Sequence, residues 1–350
     1  MNLASILHTG GRGVLTHAPS LALTSLNTYW AARYRLPSTA HAELRENLAA
    51  AFHELSPYAL SRFTRQCLCN MRADEVRQYR LQLLPRQRLV GEIARIELRG
   101  AGHLTRAYAE DRPVIFVTAH YGSFMLAALK AAFEFPDRRL NFFYNPPARN
   151  AYSTTSDALL NLADKSCGIL HNTPQGVLRA LRCLRRGESL CIVADQLTPE
   201  GEVVFVPFFG RFYGAMQGVA FFARRAGAQI LPTFGRTLAD GRTVLEFHEP
   251  IDPRLLESSW EDEWLYRITC QIFEAFERQF RLAPAHWRYW RSFLRASLAS
   301  PQPPTSGHDT QRQIAAVRQL IAHDRPLRNH PTIWSTTTAA LNPGDTPLSK

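Results

Sequence analysis

The sequence predicts an α/β fold in which a mainly parallel sheet is flanked by helices and follows a helical N-terminal region. Two observations support this prediction. Short, continuous apolar runs such as PVIFVTA at 113–119 are typical of strands buried on both faces of a sheet. Helix-like runs lie between several such strands, and this alternation is typical of parallel sheets. With 350 residues, 45% of them hydrophobic, the chain can bury a substantial core in one large domain or two smaller ones.

The N-terminal region, residues 1–107, is predicted to be mainly helical. Between residues 39 and 107, apolar residues recur at spacings of three and four, which is the period of a helix with one buried face. Pro57 and Pro85 interrupt the pattern and predict breaks between helices.

An uncharged stretch at 13–32 has the length of a bilayer span, about 20 residues. Pro19, Asn27 and several Ser and Thr residues make it a poor spanning helix. The Tyr29–Trp30 pair fits an interfacial helix, because amphipathic rings favour the headgroup level of a bilayer. A plain buried helix explains the stretch equally well. No cleavable signal peptide is evident, because no basic segment leads into an unbroken apolar core.

Residues 108–298 are assigned to the α/β core. The strand candidates are the apolar runs at 113–119, 140–145, 189–194, 202–209, 229–234 and 243–248. Helix-like runs occupy 122–134, 151–166, 174–186, 215–227 and 258–282. The run at 174–186 has a clear start signal, with Thr173 as the N-cap and Pro174 in the first turn. Residues 299–350 are rich in Pro, Thr and Ser, which predicts a flexible tail containing one short helix.

The formal net charge of +11 comes almost entirely from arginine, since Lys130, Lys165 and Lys350 are the only lysines. Arginine suits phosphate and carboxylate groups, so an anionic membrane surface or a phosphorylated cofactor would be an admissible partner. Compositional drift toward arginine is an equally good explanation. Nucleic-acid binding would rest on arginine count alone, because no known nucleic-acid-binding module is recognisable.

The six cysteines are scattered, and only Cys67 and Cys69 lie close together. No Cys or His cluster has the spacing of a zinc site, so we predict reduced structural thiols, a cytosolic compartment, no metal and no cofactor. The motifs GxSxG, GxGxxG after a strand, the P-loop and HExxH are all missing, which leaves those enzyme classes without support.

His120 and Gly122 directly follow the strand candidate at 113–119. Functional groups in open α/β sheets collect where strands end, and Gly122 permits a close backbone approach. Asp195 follows the strand candidate at 189–194 in the same way, so it would approach His120 if the two strands are near neighbours. The alternatives are a structural histidine and an aspartate that only caps a turn.

Gly210 and Gly214 flank an aromatic–arginine stretch that is predicted to be a loop opening a helix. Helix N-termini attract anions, so Arg211 would hold a phosphate or a carboxylate. A tight loop with a solvated arginine is the alternative. Arg149 and Asn150 in NPPARN form a weaker candidate of the same kind.

Five segments together resemble the bacterial lipid A late acyltransferase family, within the broader lysophospholipid acyltransferase group. They are VTAHYGSF, VADQ, VPFFGR, ARRAGAQILP and PAHWRYWRSF. Their order and spacing follow the family over about Asn47 to Arg295. The resemblance implies an acyltransferase-like α/β sandwich.

The resemblance also implies transfer of an acyl chain from acyl carrier protein or acyl-CoA to a hydroxyl of a glycolipid or related acceptor. The reaction would take place at the cytoplasmic face of the inner membrane, with the chain bound peripherally or weakly anchored; a cytoplasmic protein is the alternative. His120 would deprotonate the acceptor hydroxyl. The predicted substrate-binding residues, most of them in the matched segments, are Gly122, Ser123, Arg149, Asn150, Gln196, Phe209, Gly210 and Arg211.

The chain departs from the family pattern at Met125, where the family has Asp or Glu in the motif that begins with the histidine. Asp195 is the candidate replacement for that acid. A family arginine before CGIL is also replaced, by Asp164–Lys165. These departures favour a specialised or secondary-metabolite acceptor over lipid A itself.

Two hypotheses follow. In the first, the chain is an acyltransferase with His120 as general base and Asp195 as its partner. In the second, supported by Met125, it is a catalytically impaired homologue that binds lipid or acyl carrier within a biosynthetic complex. A carboxylate within hydrogen-bond reach of His120 favours catalysis, whereas only apolar neighbours favour binding.

Overall fold

A computed structural model describes residues 19–36, 38–135, 137–148, 167–195, 203–238, 242–256 and 261–298. The helix predicted at 151–166 and the predicted tail at 299–350 lie outside the described residues.

Five helices precede or flank the start of the sheet, as the N-terminal pattern predicts. They are α1 (Pro19–Arg33), α2 (Thr39–Ala51), α3 (Pro57–Leu83), α4 (Arg86–Ala94) and α5 (Ala101–Ala109). The breaks predicted at the two prolines are confirmed: Pro57 occupies the first turn of α3, and Pro85 directly precedes α4. The side chain of Ser56 caps α3 by accepting a hydrogen bond from the backbone of Ala59.

The uncharged stretch supplies all of α1 except its last residue, Arg33. Tyr29 is exposed, and Trp30 stacks on Tyr34, just beyond the helix, at 5.6 Å between ring centroids. Within the described parts of the chain, no helix is both long enough and apolar enough to cross a bilayer.

A seven-stranded sheet forms the centre of the protein. It comprises β1 (Glu97–Arg99), β2 (Val114–Thr118), β3 (Leu140–Tyr144), β4 (Cys167–His171), β5 (Ser189–Val193), β8 (Gln229–Thr237) and β9 (Thr243–Phe247). The order is β1-β9-β8-β2-β5-β3-β4, and every neighbouring pair is parallel except β8 and β9. The predicted α/β class with a mainly parallel sheet is therefore confirmed. The pattern missed β1 and β4, which are short and only partly buried.

Helices cover both faces of this sheet. They include α6 (Phe124–Glu134), α7 (Pro174–Arg185), α8 (Gly218–Ala226) and α9 (Glu261–Leu282). Strand β2 shows why its sequence is continuously apolar: Ile115 and Val117 belong to the cluster with α7, α8 and α9, whereas Val114 and Phe116 belong to the cluster with α4, α5 and α6. Successive side chains point to opposite faces, so a strand covered on both sides needs an apolar residue at each position.

A small antiparallel sheet contains β6 (Val203–Phe208), β7 (Arg211–Met216) and β10 (Ser297–Leu298). The prediction of a loop opening a helix at 210–214 is wrong, because Arg211–Met216 pairs with β6 and α8 begins only at Gly218. Phe209 and Gly210 both have positive φ, 48° and 69°, as a tight hairpin turn requires. Gly210, which the sequence predicts to lie in a loop that opens a helix, instead forms this hairpin turn.

Candidate active site

His120 lies just beyond the carboxyl end of β2, where the sequence places it. Two backbone hydrogen bonds hold this position. The N–H of Arg288 donates to the carbonyl of His120 at 3.0 Å, and the N–H of Gly122 donates to the carbonyl of His286 at 2.9 Å. A segment that is distant in sequence, residues 286–288, therefore holds the histidine turn from both sides.

Asp195 reaches His120 because their strands are direct neighbours in register. Thr118 of β2 pairs with Val193 of β5, and each functional residue lies two positions beyond its strand. Nδ1 of His120 is 2.8 Å from Oδ1 of Asp195, and the backbone N–H of His120 donates to Oδ2 at 2.9 Å. The predicted approach of Asp195 to His120 is confirmed.

The carboxylate of Asp195 is completely buried and fully hydrogen-bonded. Besides the two bonds from His120, Oδ2 accepts a third from the indole N–H of Trp287 at 2.7 Å. The hydroxyl of Tyr213 donates to the backbone carbonyl of the same aspartate at 3.1 Å. A buried charge is tolerated when donors surround it in this way. Sequence reasoning missed Trp287 as a site residue, although it lies in the PAHWRYWRSF segment.

Only one of the two imidazole nitrogens of His120 contacts Asp195, so the other can take part in proton transfer. An ionised carboxylate only accepts hydrogen bonds, so Nδ1 carries the proton directed at Asp195 and Nε2 is left with its lone pair. The His120 side chain is 20% exposed. The rings of Phe124 and Tyr289 flank it at centroid distances of 5.1 and 4.9 Å, and the Arg288 guanidinium lies over Phe124 at 5.4 Å. This arrangement can accept a proton from a substrate.

Gly122 permits the close backbone approach that the sequence predicts, and its neighbour is strand β8. A Cβ atom at Gly122 would lie 2.6 Å from the carbonyl oxygen of Gly235, and the glycine has a positive φ of 50°. Ser123 continues the contact: its N–H donates to that carbonyl at 2.9 Å, and its hydroxyl lies 3.0 Å from the Thr237 hydroxyl. The two residues thus join the His120 turn to β8.

A second polar cluster lies on the other side of the same turn. Arg236 donates two hydrogen bonds to the carboxylate of Glu246, at 3.0 and 2.9 Å, and Gln279 donates a third at 2.9 Å. Burial alone would raise the pKa of Glu246, but these bonds and the charge of Arg236 hold it below its ordinary value. The Tyr121 hydroxyl adjoins Gln279 and donates to the carbonyl of Ala283, and burial raises its pKa.

The other predicted binding residues have varied surroundings. Phe209 is buried, and its N–H donates to Glu277 at 2.7 Å, while Gly210 completes the hairpin turn. Nε of Arg211 donates to the Ser297 hydroxyl at 2.8 Å, and burial lowers the pKa of this arginine. Arg149, Asn150 and Gln196 lie outside the described residues. Substrate binding by these six residues stays a prediction.

Met125 lies in the first turn of α6 and is buried in the apolar cluster between that helix and the sheet. Within the described residues, no group of three or more His, Cys, Asp or Glu side chains could hold a metal ion. All six cysteines are free thiols.

Comparison with known proteins supports the resemblance seen in the sequence. Residues 12–294 match the family described as bacterial lipid A biosynthesis acyltransferase, and the match includes His120, Asp195 and Trp287. No curated protein matches the chain. The family match implies acyl transfer from an acyl donor to a lipid acceptor in bacterial lipid synthesis. The chain therefore belongs to the bacterial lipid A biosynthesis acyltransferase family.

Proposed function

We propose that this protein transfers an acyl chain from a thioester, carried by acyl carrier protein or by CoA, to a hydroxyl or amine of a lipid or specialised-metabolite acceptor. The observation that carries the proposal is the His120–Asp195 pair, in which one imidazole nitrogen is held by a buried carboxylate and the other can accept a proton. Family membership supplies the reaction type.

In the proposed reaction, Nε2 of His120 removes the proton from the acceptor hydroxyl as its oxygen attacks the thioester carbonyl carbon. The tetrahedral oxyanion then collapses: the carbon–sulfur bond breaks, the ester forms, and the thiolate leaves with the bonding electrons. The imidazolium returns its proton to the thiolate. The reaction therefore needs no oxidant, reductant or further co-reactant.

Asp195 has two tasks in this proposal. Its hydrogen bond to Nδ1 selects the tautomer that leaves Nε2 able to accept a proton, and its negative charge stabilises the imidazolium. The resemblance assigns this role to an acid at the position of Met125. Because Asp195 already occupies Nδ1, the replacement at Met125 does not leave the histidine without a carboxylate.

We place the reaction at the cytoplasmic face of the inner membrane, with the protein bound peripherally or weakly anchored. The formal charge of +11 would favour an anionic bilayer, and the Tyr29–Trp30 pair of α1 suits its interface. Tyr29 is exposed, which is consistent with this proposal.

The test combines purified protein with acyl-CoA or acyl carrier protein and candidate acceptors, with products detected by mass spectrometry. We expect His120→Ala to lower turnover by about 10²- to 10⁴-fold, the range of general base catalysis. His53→Ala is the control. The side chain of His53 is 89% exposed, and within the described residues it pairs only with the neighbouring Glu54. Unchanged turnover in His120→Ala, with an unchanged melting temperature, would exclude the assignment.

The alternative is a homologue that binds lipid or acyl carrier without catalysing transfer, and Met125 is the feature that favours it. Mass spectrometry of lipids that co-purify with the protein identifies the acceptor class to be assayed. Binding of that lipid without turnover from either thioester, in wild-type protein, would favour the alternative over catalysis.

A further inference from the structure

Arg288 lies directly opposite His120 in a short antiparallel pairing of two distant segments. Tyr121 and Trp287 form the bridge at the centre of this pairing. Beside the bridge, the N–H of Arg288 donates to the carbonyl of His120 at 3.0 Å. Side chains that are directly opposite each other in an antiparallel pair lie on the same face, with Cβ atoms about 5 Å apart. The side chain of Arg288 therefore begins beside the imidazole of the candidate base.

The two faces of this pairing have different surroundings. The central residues, Tyr121 and Trp287, are completely buried and belong to the larger apolar cluster. Because successive side chains of an extended chain alternate between two faces, the flanking residues His120 and Arg288 are directed away from that cluster. Both of them are partly exposed. The arginine and the histidine thus share the face on which a substrate can approach.

Aromatic rings hold the guanidinium group of Arg288 near the imidazole. Its Cζ atom lies over the ring of Phe124, 5.4 Å from the centroid, and the His120 ring lies 5.1 Å from the same centroid. The ring of Tyr289 flanks the imidazole at 4.9 Å. A cation over an aromatic face is attracted to it, and apolar walls strengthen charge interactions by displacing water. The cation is therefore positioned before any substrate binds.

The proposed reaction develops a negative charge that the His120–Asp195 pair does not stabilise. As the acceptor oxygen bonds to the thioester carbon, the π electrons of the carbonyl move onto its oxygen. The acceptor oxygen must contact Nε2 of His120 to lose its proton, so the carbonyl that it attacks lies next to the imidazole. Donors or cations held at that place stabilise the oxyanion and lower the barrier.

We infer that Arg288 is a further catalytic residue, whose guanidinium group donates hydrogen bonds to the tetrahedral oxyanion. The inference rests on the proposed function. A guanidinium offers several N–H donors and stays charged, so Arg288 gains and loses no proton during the reaction. When the carbon–sulfur bond breaks, the carbonyl forms again, the charge leaves with the thiolate, and the imidazolium of His120 supplies the proton that neutralises it.

A second arginine near the turn is not suited to this role. Arg236 lies with the cluster on the other side of the turn, where it donates two hydrogen bonds to the carboxylate of Glu246. Its charge is therefore already matched by a partly buried acid. Arg288 instead contacts a neutral ring on the face that it shares with His120.

The other role open to Arg288 is to hold an anionic group of the acceptor, such as a phosphate. The phosphate of either thioester donor is separated from the sulfur by the whole pantetheine arm, so it is not the group beside the imidazole. The two roles differ in kinetics. An anchor binds the ground state and the transition state alike and sets KM, whereas an oxyanion donor acts in the transition state and sets the rate of the chemical step.

The first experiment measures single-turnover and steady-state kinetics for Arg288→Met and Arg288→Lys. Arg288→Met keeps a long apolar chain beside Phe124 and removes the charge. We expect it to lower the rate of acyl transfer by about 10²- to 10³-fold, with KM within about threefold of wild type. Arg288→Lys keeps the charge without the planar fork and should have an intermediate rate. Arg295→Met is the matched control, because it removes the same charge from a side chain that is 77% exposed and pairs with Glu43 at 3.9 Å.

An unchanged rate in Arg288→Met, or a rise in KM that accounts for the whole loss of kcat/KM, overturns the inference. The second of these results assigns Arg288 to anchoring of an anionic acceptor. Wild-type protein that transfers no acyl chain from either thioester overturns the proposed function itself. The two failures are therefore distinguishable.

The second experiment separates the charge of Arg288 from its packing. Guanidinium chloride, at concentrations below those that unfold the protein, is added to Arg288→Ala during the transfer assay. We expect the rate to rise about tenfold or more, because the free cation can occupy the position of the missing group and donate to the oxyanion. His120→Ala and Arg295→Ala should show no such rise. Equal rates in the Met and Lys variants, together with no recovery in Arg288→Ala, would indicate a packing role and overturn the inference.

Discussion

Two carboxylates flank the turn that carries His120, one fully buried and one with its side chain 13% exposed, and they bind different partners. Glu246 binds Arg236, a permanent cation, and the amide of Gln279. Asp195 binds an imidazole, whose second nitrogen can accept a proton at a partly exposed position. Both carboxylates accept several hydrogen bonds, so a satisfied buried acid does not by itself indicate catalysis. The partner of each carboxylate distinguishes the two clusters. Glu246 with a guanidinium forms a structural cluster, whereas Asp195 with an imidazole forms a candidate catalytic pair.

Replacing Asp195 should separate the two clusters most clearly. We expect Asp195→Asn to lower kcat by about 10³- to 10⁴-fold, because an amide can donate to Nδ1 and stabilise the wrong tautomer, as in the serine-protease triad. Steady-state kinetics on folded protein measures the effect. Retention of more than a tenth of wild-type kcat would show that the carboxylate is not the partner that the mechanism requires.

Replacing Glu246 should lower the free energy of unfolding and leave kcat nearly unchanged. Glu246→Gln removes the charge facing Arg236 and leaves a guanidinium partly buried without its acid, at a cost of about 2–3 kcal/mol in unfolding free energy. Denaturant unfolding measures the loss, and kcat per folded molecule should change less than threefold. A loss of kcat comparable to that of Asp195→Asn would make this cluster catalytic.

The same carboxylate predicts a pH dependence of stability. The pKa of Glu246 is lowered in the folded state, where Arg236, Arg99 and His248 face it. Its contribution is therefore complete above the unfolded pKa of about 4.3 and is lost as pH falls through the lower folded-state pKa. The stabilities of wild type and Glu246→Gln should therefore begin to converge as the pH falls below about 4.3, and the convergence should be complete only below the lower folded-state pKa. A constant difference down to pH 3 would contradict the assigned charge state.

Trp287 should have a smaller effect on catalysis than Asp195. Trp287→Phe removes one of three hydrogen bonds to the carboxylate, so we expect kcat to fall about tenfold with little change in KM. Trp290→Phe is the control, since its indole donates to the Pro284 carbonyl and it packs in the same aromatic group. Equal kcat losses in the two variants would indicate a packing effect rather than positioning of Asp195.

Tyr121 should show the smallest effect. Tyr121→Phe removes a hydroxyl that donates to the carbonyl of Ala283, and this loss should cost about 1 kcal/mol in unfolding free energy. Thermal unfolding and kcat are measured together, with no change expected in kcat. A tenfold loss of kcat would show that the hydroxyl of Tyr121, through its hydrogen bonds with Ala283 and Gln279, helps to position His120.

Local patterns predicted the elements well where one residue pattern has one structural meaning. The run at 114–117 is apolar at each position because β2 is covered on both faces. Thr173 does cap α7, because its side chain accepts a hydrogen bond from the Gly176 N–H at 3.1 Å. The stretch after Gly210 was mispredicted because a glycine-flanked aromatic segment suits a loop and a hairpin strand equally. The stretch is a strand because it pairs with β6, and a local sequence pattern does not show which strands pair.

The sequence by itself determined that His120 and Asp195 each follow a buried strand and therefore meet the same edge of a parallel sheet. Only the tertiary structure decided that β5 lies next to β2 in equal register, and that Trp287 arrives from 92 residues away to complete the carboxylate's hydrogen bonds. Periodicity records which side chains are buried within one element. Strand order and register instead depend on packing between distant elements, which local periodicity does not record.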